Sequence, residues 1–490
     1  MLYRALCKQA RKRPNKAAVI GERQTLSYAQ LLRQVNGAAL YLRRCGLGIG
    51  DRLVIGLPPC PEFYVLFYAA AALGITTIPV SPSGHLAQRA KALGAVAVAG
   101  DKGFLAKVRR GGLAIRHAIV WDGETGLSLP SSAGRFVRRK TISEKPALGS
   151  FTSGTTGEPE LFVRTVEVLM KRAQLGTRAW GLNSHDVLLS TGPFTSGVGA
   201  VYHLVAPILI GCTVVVLEHF DRRKAVAAIA GSKVTRVFAV PLIFDILARL
   251  PSNARPDFSS LKYCSSVGAH LPRTIYDAFY KKFAIRIGQG YGGTDFALAF
   301  TVNRLGLPDA VGHRDGLFPV KILDDREEPV RDGAIGEIVF DVAKVKDRAA
   351  RAGLRKNIKR RGRYLFTGDL GRFDSDGNLY VVGRKSTMIK VGANRVIPAE
   401  VESVLRAHPR VREAVVVPLR AGRPDEAVGA IVVRHGRVTA ETLLNHCAQH
   451  LESYKCPWEI VFRKNLARNP HGKVVRYLFE ASSPELQVRN

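Results

Sequence analysis

The chain has 490 residues, of which 46% are hydrophobic and 23% are charged, and its formal net charge is +33. This length predicts about two to four domains, and no apolar run reaches the roughly 18–20 residues that a membrane span needs. The basic start lacks the apolar core of a secretion signal, and the seven cysteines are scattered. We therefore expect a cytoplasmic globular protein without a disulfide framework and without a membrane span.

The positive charge favours polyanionic partners, such as nucleotides, acidic proteins, anionic membranes or nucleic acids. Its densest stretch, residues 344–363, holds ten Lys or Arg and one Asp. That stretch is either a solvated loop or a docking patch for a partner that bears phosphate. The sequence contains no zinc-finger spacing, basic zipper or RNA-binding aromatic signature, so we expect no specific nucleic-acid binding.

The first 150 residues alternate short apolar strands with helices. The predicted strands lie at 52–58, 76–80, 95–100 and 117–121, and a predicted helix fills 61–73. Such alternation predicts a parallel sheet with helices on its faces. Residues 185–265 show the same alternation of short strands and helices, which predicts a second subdomain of the same kind.

From about residue 315 the sequence pattern changes to short predicted strands separated by DD, DG and SDG turns, which favour antiparallel pairing. We predict a small antiparallel β-barrel over about 315–383. A compact α+β segment follows over 384–490, and Gly383–Ser386 is the best linker candidate. The predicted fold class is therefore α/β, with a large N-terminal domain over 1–383 and a small C-terminal domain over 384–490.

The stretch FTSGTTGEPE, residues 151–160, has the composition of a phosphate-binding loop. Glycine lets backbone N–H groups converge on an anion, and Ser or Thr hydroxyls add further donors. The candidate nucleotide-binding residues of this loop are Thr152, Ser153, Gly154, Thr155, Thr156 and Gly157. The stretch does not match the P-loop pattern GxxxxGK[ST], and Glu160 stands where a phosphate loop usually carries lysine.

Four further stretches accompany this loop: GQGYGGTD (288–295), TGDLGRFDSDGNLYVVGRK (367–385), VGANRVIPAEVE (391–402) and NPHGKVVR (469–476). In this order and at these spacings, the set resembles the adenylate-forming superfamily of acyl-CoA synthetases, adenylation domains and luciferases. The resemblance covers nearly the whole chain. It implies an AMP-forming acid–thiol ligase that uses ATP and Mg²⁺, with a mobile C-terminal domain and a hinge at 384–386.

The resemblance implies an adenine site built from two segments of the chain. Tyr291 is similar to the aromatic residue that packs against adenine, and Gly292 follows it in the same motif. Gly268 and Ala269 match the strand-end segment that lies along the adenine. We therefore expect these four residues to bind the base of the nucleotide.

The same resemblance implies residues for the ribose, the phosphates and the chemistry. Asp369 is similar to the acid that accepts hydrogen bonds from both ribose hydroxyls, and Arg384 to the arginine beside ribose and phosphate. Thr294 resembles the contact to the α-phosphate and the substrate carboxylate. Asp295 stands where the family has a Glu next to magnesium, and its reach is one methylene shorter. Lys473 resembles the catalytic lysine that bridges the carboxylate and the α-phosphate, which is an electrostatic role.

Two residues belong to the implied domain motion. Ser386 occupies the hinge position, where the family usually has Asp or Lys, and a small residue absorbs backbone rotation readily. After that rotation, Gly392 and its neighbours would line a tunnel for a pantetheine arm. One moving domain would thus serve two half-reactions.

Glu160 and Leu161 depart from the TGxPKG pattern of the family. The lysine of that pattern steers the β- and γ-phosphates, so we expect weaker ATP binding without loss of the adenylation site. Backbone donors from Ser153–Gly157, Mg²⁺ and Arg164 would replace the missing charge.

The candidate substrate pocket contains Phe194, Thr195 and Gly197 in the stretch TGPFTSGVGA. In amino-acid-activating relatives an Asp follows this Phe and pairs with the α-ammonium group, whereas no acid follows it here. A buried ammonium group without a partner is costly. We therefore expect a simple aryl or aliphatic carboxylic acid as substrate, in fatty-acid or aromatic-acid metabolism.

The predicted acceptor is the thiol of coenzyme A. An alternative is a stand-alone adenylation enzyme that loads the phosphopantetheine arm of an acidic acyl carrier protein. A second alternative, from a different functional class, is a degenerate nucleotide- or acyl-binding protein without turnover. It is kept because Glu160, Asp295 and Ser386 all differ from the residues usual in the family's motifs. A polyanion-binding role driven by the net charge of +33 is a third possibility.

Overall fold

The computed structural model describes residues 1–81, 93–124, 126–127, 146–151, 161–251, 256–293, 298–304, 306–316, 319–343, 360–467 and 474. These residues form two compact units. The first unit holds the described residues of 1–268 and 279–305, and the second holds those of 269–278, 306–344 and 358–490. Among the described helices, none is both long enough and apolar enough to cross a membrane.

Several helices of the described residues begin or end with ordinary capping residues. Ser27 and Gln30 form a capping box, and Gly74, Gly181 and Gly211 each end a helix in the left-handed conformation. In chain order they are α1 (Leu2–Lys12), α2 (Tyr28–Arg44), α3 (Pro61–Leu73), α4 (Lys102–Arg110), α5 (Val166–Trp180), a π-helix (Gly199–Val205), α6 (Ala206–Ile210), α7 (Arg222–Gly231), α8 (Pro241–Ala248), α9 (Arg273–Phe283), α10 (Pro398–Ala407) and α11 (Ala440–Ala448).

The strands of the first unit are β1 (Ala17–Ile20), β2 (Thr25–Ser27), β3 (Arg52–Gly56), β4 (Thr76–Pro79), β5 (Ala97–Gly100), β6 (His117–Asp122), β7 (Gly126–Leu127), β8 (Pro146–Phe151), β9 (Leu161–Thr165), β10 (Val187–Ser190), β11 (Thr213–Val216), β12 (Arg236–Ala239), β13 (Tyr263–Val267), β14 (Ile287–Gly293) and β15 (Leu298–Asn303). Those of the second unit are β16 (Gly312–His313), β17 (Val320–Leu323), β18 (Gly336–Asp341), β19 (Arg360–Arg361), β20 (Tyr364–Phe373), β21 (Asn378–Arg384), β22 (Ile389–Val391), β23 (Asn394–Val396), β24 (Val411–Leu419), β25 (Ala427–Arg434) and β26 (Glu459–Phe462).

The first unit contains two sheets that are parallel in their centres. One sheet has the strand order β15-β14-β13-β12-β10-β11-β1-β2, and the other has the order β7-β6-β5-β3-β4-β8-β9. Antiparallel pairs lie at the sheet edges, namely β14–β15, β1–β2, β6–β7 and β8–β9. The predicted α/β architecture with parallel-sheet subdomains is confirmed.

Helix α3 lies in the main hydrophobic core of the first unit. Its residues are buried from Pro61 to Ala72, as expected for a helix that is apolar on every side. Two of its tyrosines reach backbone carbonyls of the π-helix. Tyr64 Oη donates to the carbonyl of His203 at 2.6 Å, and Tyr68 Oη donates to that of Leu204 at 3.1 Å.

The N-terminal segment is tied to the turn between α6 and β11. Gln9 Nε2 donates to the carbonyl of Leu209 at 3.0 Å, and Lys16 Nζ donates to that of Gly211 at 2.9 Å. Tyr28 Oη donates to the carbonyl of Cys212 at 2.6 Å. These bonds satisfy carbonyls that the end of α6 leaves exposed.

The second unit contains an antiparallel sheet with the order β16-β21-β20-β18-β17, and β19 pairs with β20. The hairpin β22–β23 and the sheet β24-β25-β26 follow, with β26 parallel to β25 and α10 packed against β24. The predicted small antiparallel sheet and the α+β segment after it are confirmed. The boundary at 383/384 stays a prediction, because described residues on both sides of it belong to one compact unit.

Candidate active site

The candidate substrate pocket begins at Phe194, between β10 and the π-helix. The Phe194 ring is buried and packs edge-on against Phe63 and Tyr64, at ring-centroid distances of 4.8 and 5.5 Å. Thr195 is half-buried, and a Cβ added at Gly197 would meet nothing within 4 Å. The segment therefore holds a buried aromatic ring three residues before a glycine that faces open space.

The π-helix Gly199–Val205 is followed by Pro207, which cannot make the next α-helical hydrogen bond. In an α-helix its N–H would donate to the carbonyl of His203, but proline has no N–H. The hydroxyl of Tyr64 bonds that carbonyl instead, and the chain widens into a π-helix. Gly199 begins the π-helix, and a Cβ there would lie 2.3 Å from the carbonyl oxygen of Pro193. The sequence predicts a buried helix here but not its widened turn, and π-helices often mark functional sites.

The π-helix directs two polar side chains at Phe238 of β12. The ring of Tyr202 stacks on that of Phe238 at 5.1 Å, and the ring of His203 lies 6.3 Å from it. Burial lowers the pKa of His203 to about 4, so its imidazole is neutral at neutral pH. Burial also raises the pKa of Tyr202 to about 12. The side chains of Tyr202 and His203, on the π-helix that follows Phe194, are therefore both uncharged at neutral pH.

The predicted adenine residues lie at neighbouring strand ends. Val267 pairs with Gly290 in the parallel pair β13–β14, so Gly268 and Tyr291 follow at the same edge of the sheet. Gly268 has a φ of +87°, which favours glycine, and Ala269 after it is exposed. Tyr291 is half-buried and Gly292 is exposed. The two segments that the resemblance assigns to the adenine therefore lie at the same edge of one sheet.

Asp369 and Arg384 form an ion pair across two antiparallel strands. They are register partners in β20 and β21, and Arg384 Nε donates to Asp369 Oδ1 at 2.7 Å. The side chain of Asp369 is 12% exposed, and that of Arg384 is 47% exposed. The backbone N–H of Asp369 donates to Thr367 Oγ1 at 3.0 Å. A fixed carboxylate beside a guanidinium suits a group that carries both hydroxyls and a phosphate.

Lys385 connects this strand pair to a network that sequence reasoning missed. Its Nζ donates to Asp325 Oδ1 at 2.9 Å and to Glu337 Oε2 at 3.2 Å, and Arg395 Nη1 donates to Asp325 Oδ2 at 2.9 Å. The hydrogen bond between Lys385 and Asp325 lowers the pKa of the Asp325 carboxyl group and raises the pKa of the Lys385 ammonium group. We call these four residues the Lys385 network. The only sequence signal is the acidic turn at 324–325, which is 60 residues from its partner.

The predicted hinge residue and the predicted tunnel residue both lie in short connecting segments of the second unit. Ser386 is exposed in the short 3₁₀ helix Lys385–Thr387. Gly392 has a φ of +58° in the turn between β22 and β23, where a Cβ would meet nothing within 4 Å. Tyr291 and Gly268 belong to the first unit, and Asp369 and Arg384 to the second. Their convergence around one nucleotide stays a prediction.

Several predicted residues lie outside the described residues: Thr152, Ser153, Gly154, Thr155, Thr156, Gly157, Glu160, Thr294, Asp295 and Lys473. Arg164, which we expected to help at the phosphates, is buried, bonds Ser150 Oγ and lies 4.9 Å from the Phe162 ring. Within the described ranges, no group of three or more His, Cys, Asp or Glu side chains is arranged to hold a metal ion.

A comparison with protein families assigns most of the chain. The family described as "AMP-binding enzyme" matches residues 6–345, and its C-terminal domain matches residues 400–473. The chain belongs to the AMP-binding enzymes. Within this family it is an AMP-forming acid–thiol ligase of the acyl-CoA synthetase type, and both predictions from the sequence are confirmed.

Relatives of this AMP-binding enzyme include CoA ligases of different substrates. It is 28% identical over 476 residues to the long-chain-fatty-acid–CoA ligase FadD13 of Mycobacterium tuberculosis, with 92% of each chain covered. It is 26% identical over 480 residues to a crotonobetaine/carnitine–CoA ligase of Shigella dysenteriae, again with 92% of each chain covered.

Solved structures of similar fold include an anthranilate CoA ligase in complex with anthranoyl-AMP. That structure has a TM-score of 0.86 at 22% identity and covers 98% of this chain and 97% of its own. The o-succinylbenzoate CoA synthetase of Bacillus subtilis, in complex with ATP and magnesium, has a TM-score of 0.83 at 24% identity and covers 97% and 99%. These likenesses establish the fold of this AMP-binding enzyme.

Proposed function

We propose that this enzyme activates a simple carboxylic acid, aryl or aliphatic, with ATP and transfers the acyl group to coenzyme A. In the first step a carboxylate oxygen attacks the α-phosphorus of ATP, and the bond from that phosphorus to pyrophosphate breaks. In the second step the thiol sulfur attacks the acyl carbon of the adenylate, the thiol loses its proton and AMP leaves.

The observation that carries the proposal is the ion pair of Asp369 and Arg384 at 2.7 Å. The arginine holds the carboxylate in place while half of its own side chain stays accessible. Asp369 would accept hydrogen bonds from the ribose hydroxyls, and Arg384 would face the phosphate. Tyr291, Gly292, Gly268 and Ala269 would enclose the adenine.

Lys473 is proposed as the catalytic residue and Thr294 as its partner at the α-phosphate. An ammonium group there would neutralise the negative charge that builds up between the carboxylate and the phosphate as they react. Asp295 offers an oxygen donor that suits Mg²⁺, and the ion, when bound, would neutralise charge on the departing pyrophosphate. Ser386 would act as hinge, and Gly392 would line the path of the pantetheine arm.

The surroundings of Phe194 support a substrate without an ammonium group. The aromatic neighbours Phe63 and Tyr64 carry no charge, and Thr195 stands where a carboxylate would be needed. Among the relatives and similar structures, three are named for a long-chain fatty acid, anthranilate and o-succinylbenzoate, and a fourth is named for crotonobetaine and carnitine. CoA is favoured as acceptor because those relatives are CoA ligases, and a carrier protein is the alternative.

The test is pyrophosphate release with ATP over a library of carboxylic acids and amino acids. We expect release with one class of aryl or aliphatic acids, and release with amino acids alone would contradict the proposal. Adding CoA or a holo acyl carrier protein to the active acid then shows which thiol consumes the adenylate.

The Lys473→Ala variant separates an enzyme from a degenerate binding protein. We expect it to lose adenylation while it still binds AMP. If the unmodified protein binds nucleotide but releases no pyrophosphate with any acid, the ligand-binding alternative is correct.

A further inference from the structure

Three buried polar side chains lie close to the candidate substrate pocket: Ser190, His203 and Ser265, which we call the His203 cluster. Each residue is at most 2% exposed. Among the residues that the structure describes, no hydrogen-bond partner is found for either serine hydroxyl or for either ring nitrogen of His203. Buried polar groups are almost always hydrogen-bonded, so this concentration needs an explanation.

The sheet register places the two serines on the same face. Ser190 of β10 pairs with Phe238 of β12, and Phe238 pairs with Ser265 of β13. Partners in adjacent parallel strands point to the same side of the sheet, so both serines flank Phe238 on the face that contacts His203 and Tyr202. The cluster is therefore one local group drawn from three elements.

The cluster lies next to the candidate substrate pocket, because the Tyr64 ring packs against Phe194 and its hydroxyl donates to the carbonyl of His203. Ser190 is the last residue of β10 and precedes Phe194 by four positions, while His203 follows Gly197 within the π-helix. Ligands of α/β sheets bind at the carboxyl ends of the strands, where Ser190 lies.

We propose that the His203 cluster forms a polar inner wall of the acyl pocket and selects acids that carry an uncharged hydrogen-bonding substituent, such as a hydroxyl, away from the reacting carboxyl group. This inference rests on the proposed function. A neutral imidazole offers one donor and one acceptor, and each serine hydroxyl offers both. A hydroxyl or amide on the substrate would satisfy these groups, whereas a hydrocarbon acid would leave them unpaired.

The wall selects against a charged substituent for the same reason that it favours a neutral one. The side chains that surround Phe238 on this face include Trp180, Tyr202 and His203, and all are uncharged at neutral pH. Burial alone lowers the pKa of His203, with no contribution from a charged neighbour. A second carboxylate or an ammonium group would therefore lose its hydration without gaining a counter-ion.

The expected discrimination is large enough to measure. A site built to hydrogen-bond a substrate hydroxyl rejects the analogue that lacks it far more strongly than an apolar pocket rejects a missing methylene. Side chains of the cluster can shift slightly to accommodate an acid that lacks the hydroxyl, which reduces the discrimination. We therefore expect kcat/KM to be about 10- to 100-fold higher for the hydroxylated member of a matched pair.

The experiment measures ATP–pyrophosphate exchange with matched acids in the full-length enzyme. The pairs are benzoate against its ortho, meta and para hydroxy derivatives, and hexanoate against its omega-hydroxy derivative. The variants are Ser265→Ala and His203→Leu, which remove hydrogen-bonding groups. The control is Ser266→Ala, because Ser266 is equally buried on the same strand but points to the opposite face.

The inference predicts that a hydroxylated acid is preferred, that Ser265→Ala and His203→Leu reduce this preference by about tenfold, and that Ser266→Ala preserves it. A merely structural role would lower kcat/KM for both members of a pair equally, and that result overturns the inference. Equal exchange with hydroxylated and plain acids also overturns it while leaving the proposed function intact. If no carboxylic acid supports exchange, the proposed function itself fails.

Discussion

Glu160 places a negative charge where the family pattern has lysine, in a loop that should hold the phosphates of ATP. Reversing the charge should strengthen the binding of the anionic ligand. We expect Glu160→Lys to lower KM for ATP by about tenfold, which corresponds to about 1.4 kcal/mol, with a much smaller change in kcat. Initial rates of pyrophosphate release at varied ATP concentration provide the measurement.

The matched control is Glu124→Lys, which makes the same charge change at an exposed turn before β7. An equal fall in KM for ATP in that variant would show that the net charge, and not the loop, is responsible. An unchanged KM in Glu160→Lys would mean that the loop does not contact the phosphates.

His203 also makes a prediction about stability. Its pKa is about 4 in the folded protein, whereas an unfolded histidine has a pKa of about 6.5. Between these values the unfolded chain binds a proton that the folded chain does not, so stability falls as pH decreases from 6.5 toward 4. At pH 5 the lost stability amounts to about 2 kcal/mol.

The variant His203→Leu should remove this loss. We expect the melting temperatures of wild type and variant to diverge in favour of the variant between pH 7.5 and pH 5. Parallel pH profiles of the two proteins would contradict the low pKa. The comparison does not require the substrate, so it is independent of the proposed wall.

At the level of elements, the Lys385 network adjoins the proposed hinge. Asp325, on the turn after β17, binds both Lys385 and Arg395, which lie on either side of Ser386. Exposed ion pairs of this kind contribute at most about 1 kcal/mol each. That amount is small for global stability but sufficient to shift a balance between two hinge states by severalfold.

We expect Asp325→Asn to change the melting temperature little and to alter the ratio of the two half-reaction rates by about two- to fivefold. ATP–pyrophosphate exchange reports the first rate, and thioester formation from preformed adenylate reports the second. Asp332→Asn is the control, because Asp332 forms a similarly exposed pair with Arg314 in the same unit. Equal changes in both rates would rule out a role of the network at the hinge.

The elements show where sequence reasoning succeeds and where it stops. Helix α3 was predicted at its observed bounds, because an apolar run that starts at proline and stops before glycine leaves few alternatives. The sequence does not predict the π-helix, because the hydroxyl that bonds its His203 carbonyl comes from Tyr64, more than 100 residues away in sequence. Motifs likewise predict Asp369 and Arg384, which the structure pairs, but not Asp325, whose contacts depend on folding distant turns together.

On the scale of the whole molecule, the net charge of +33 should favour the approach of anionic substrates. Salt shortens the range of this attraction, from a Debye length of about 10 Å at 0.1 M to about 3 Å at 1 M. We expect KM for ATP and CoA to rise severalfold between about 0.05 and 0.5 M NaCl, and KM for the singly charged acid to rise less. A uniform rise for all three substrates would indicate a general salt effect on the enzyme.

The bonds from Gln9 and Lys16 to the turn at 209–211 join parts of the chain that the ribosome adds far apart in time. Ribosomes add about 5–20 residues per second, so Gln9 and Lys16 wait roughly 10–40 s for Leu209 and Gly211 to be added. During this interval α1, which buries Leu2 and Leu6 in the finished protein, can pack against α2 and α3 but lacks its third neighbour, α6. A nascent chain halted before residue 209 would therefore present the uncovered side of α1 to chaperones and proteases.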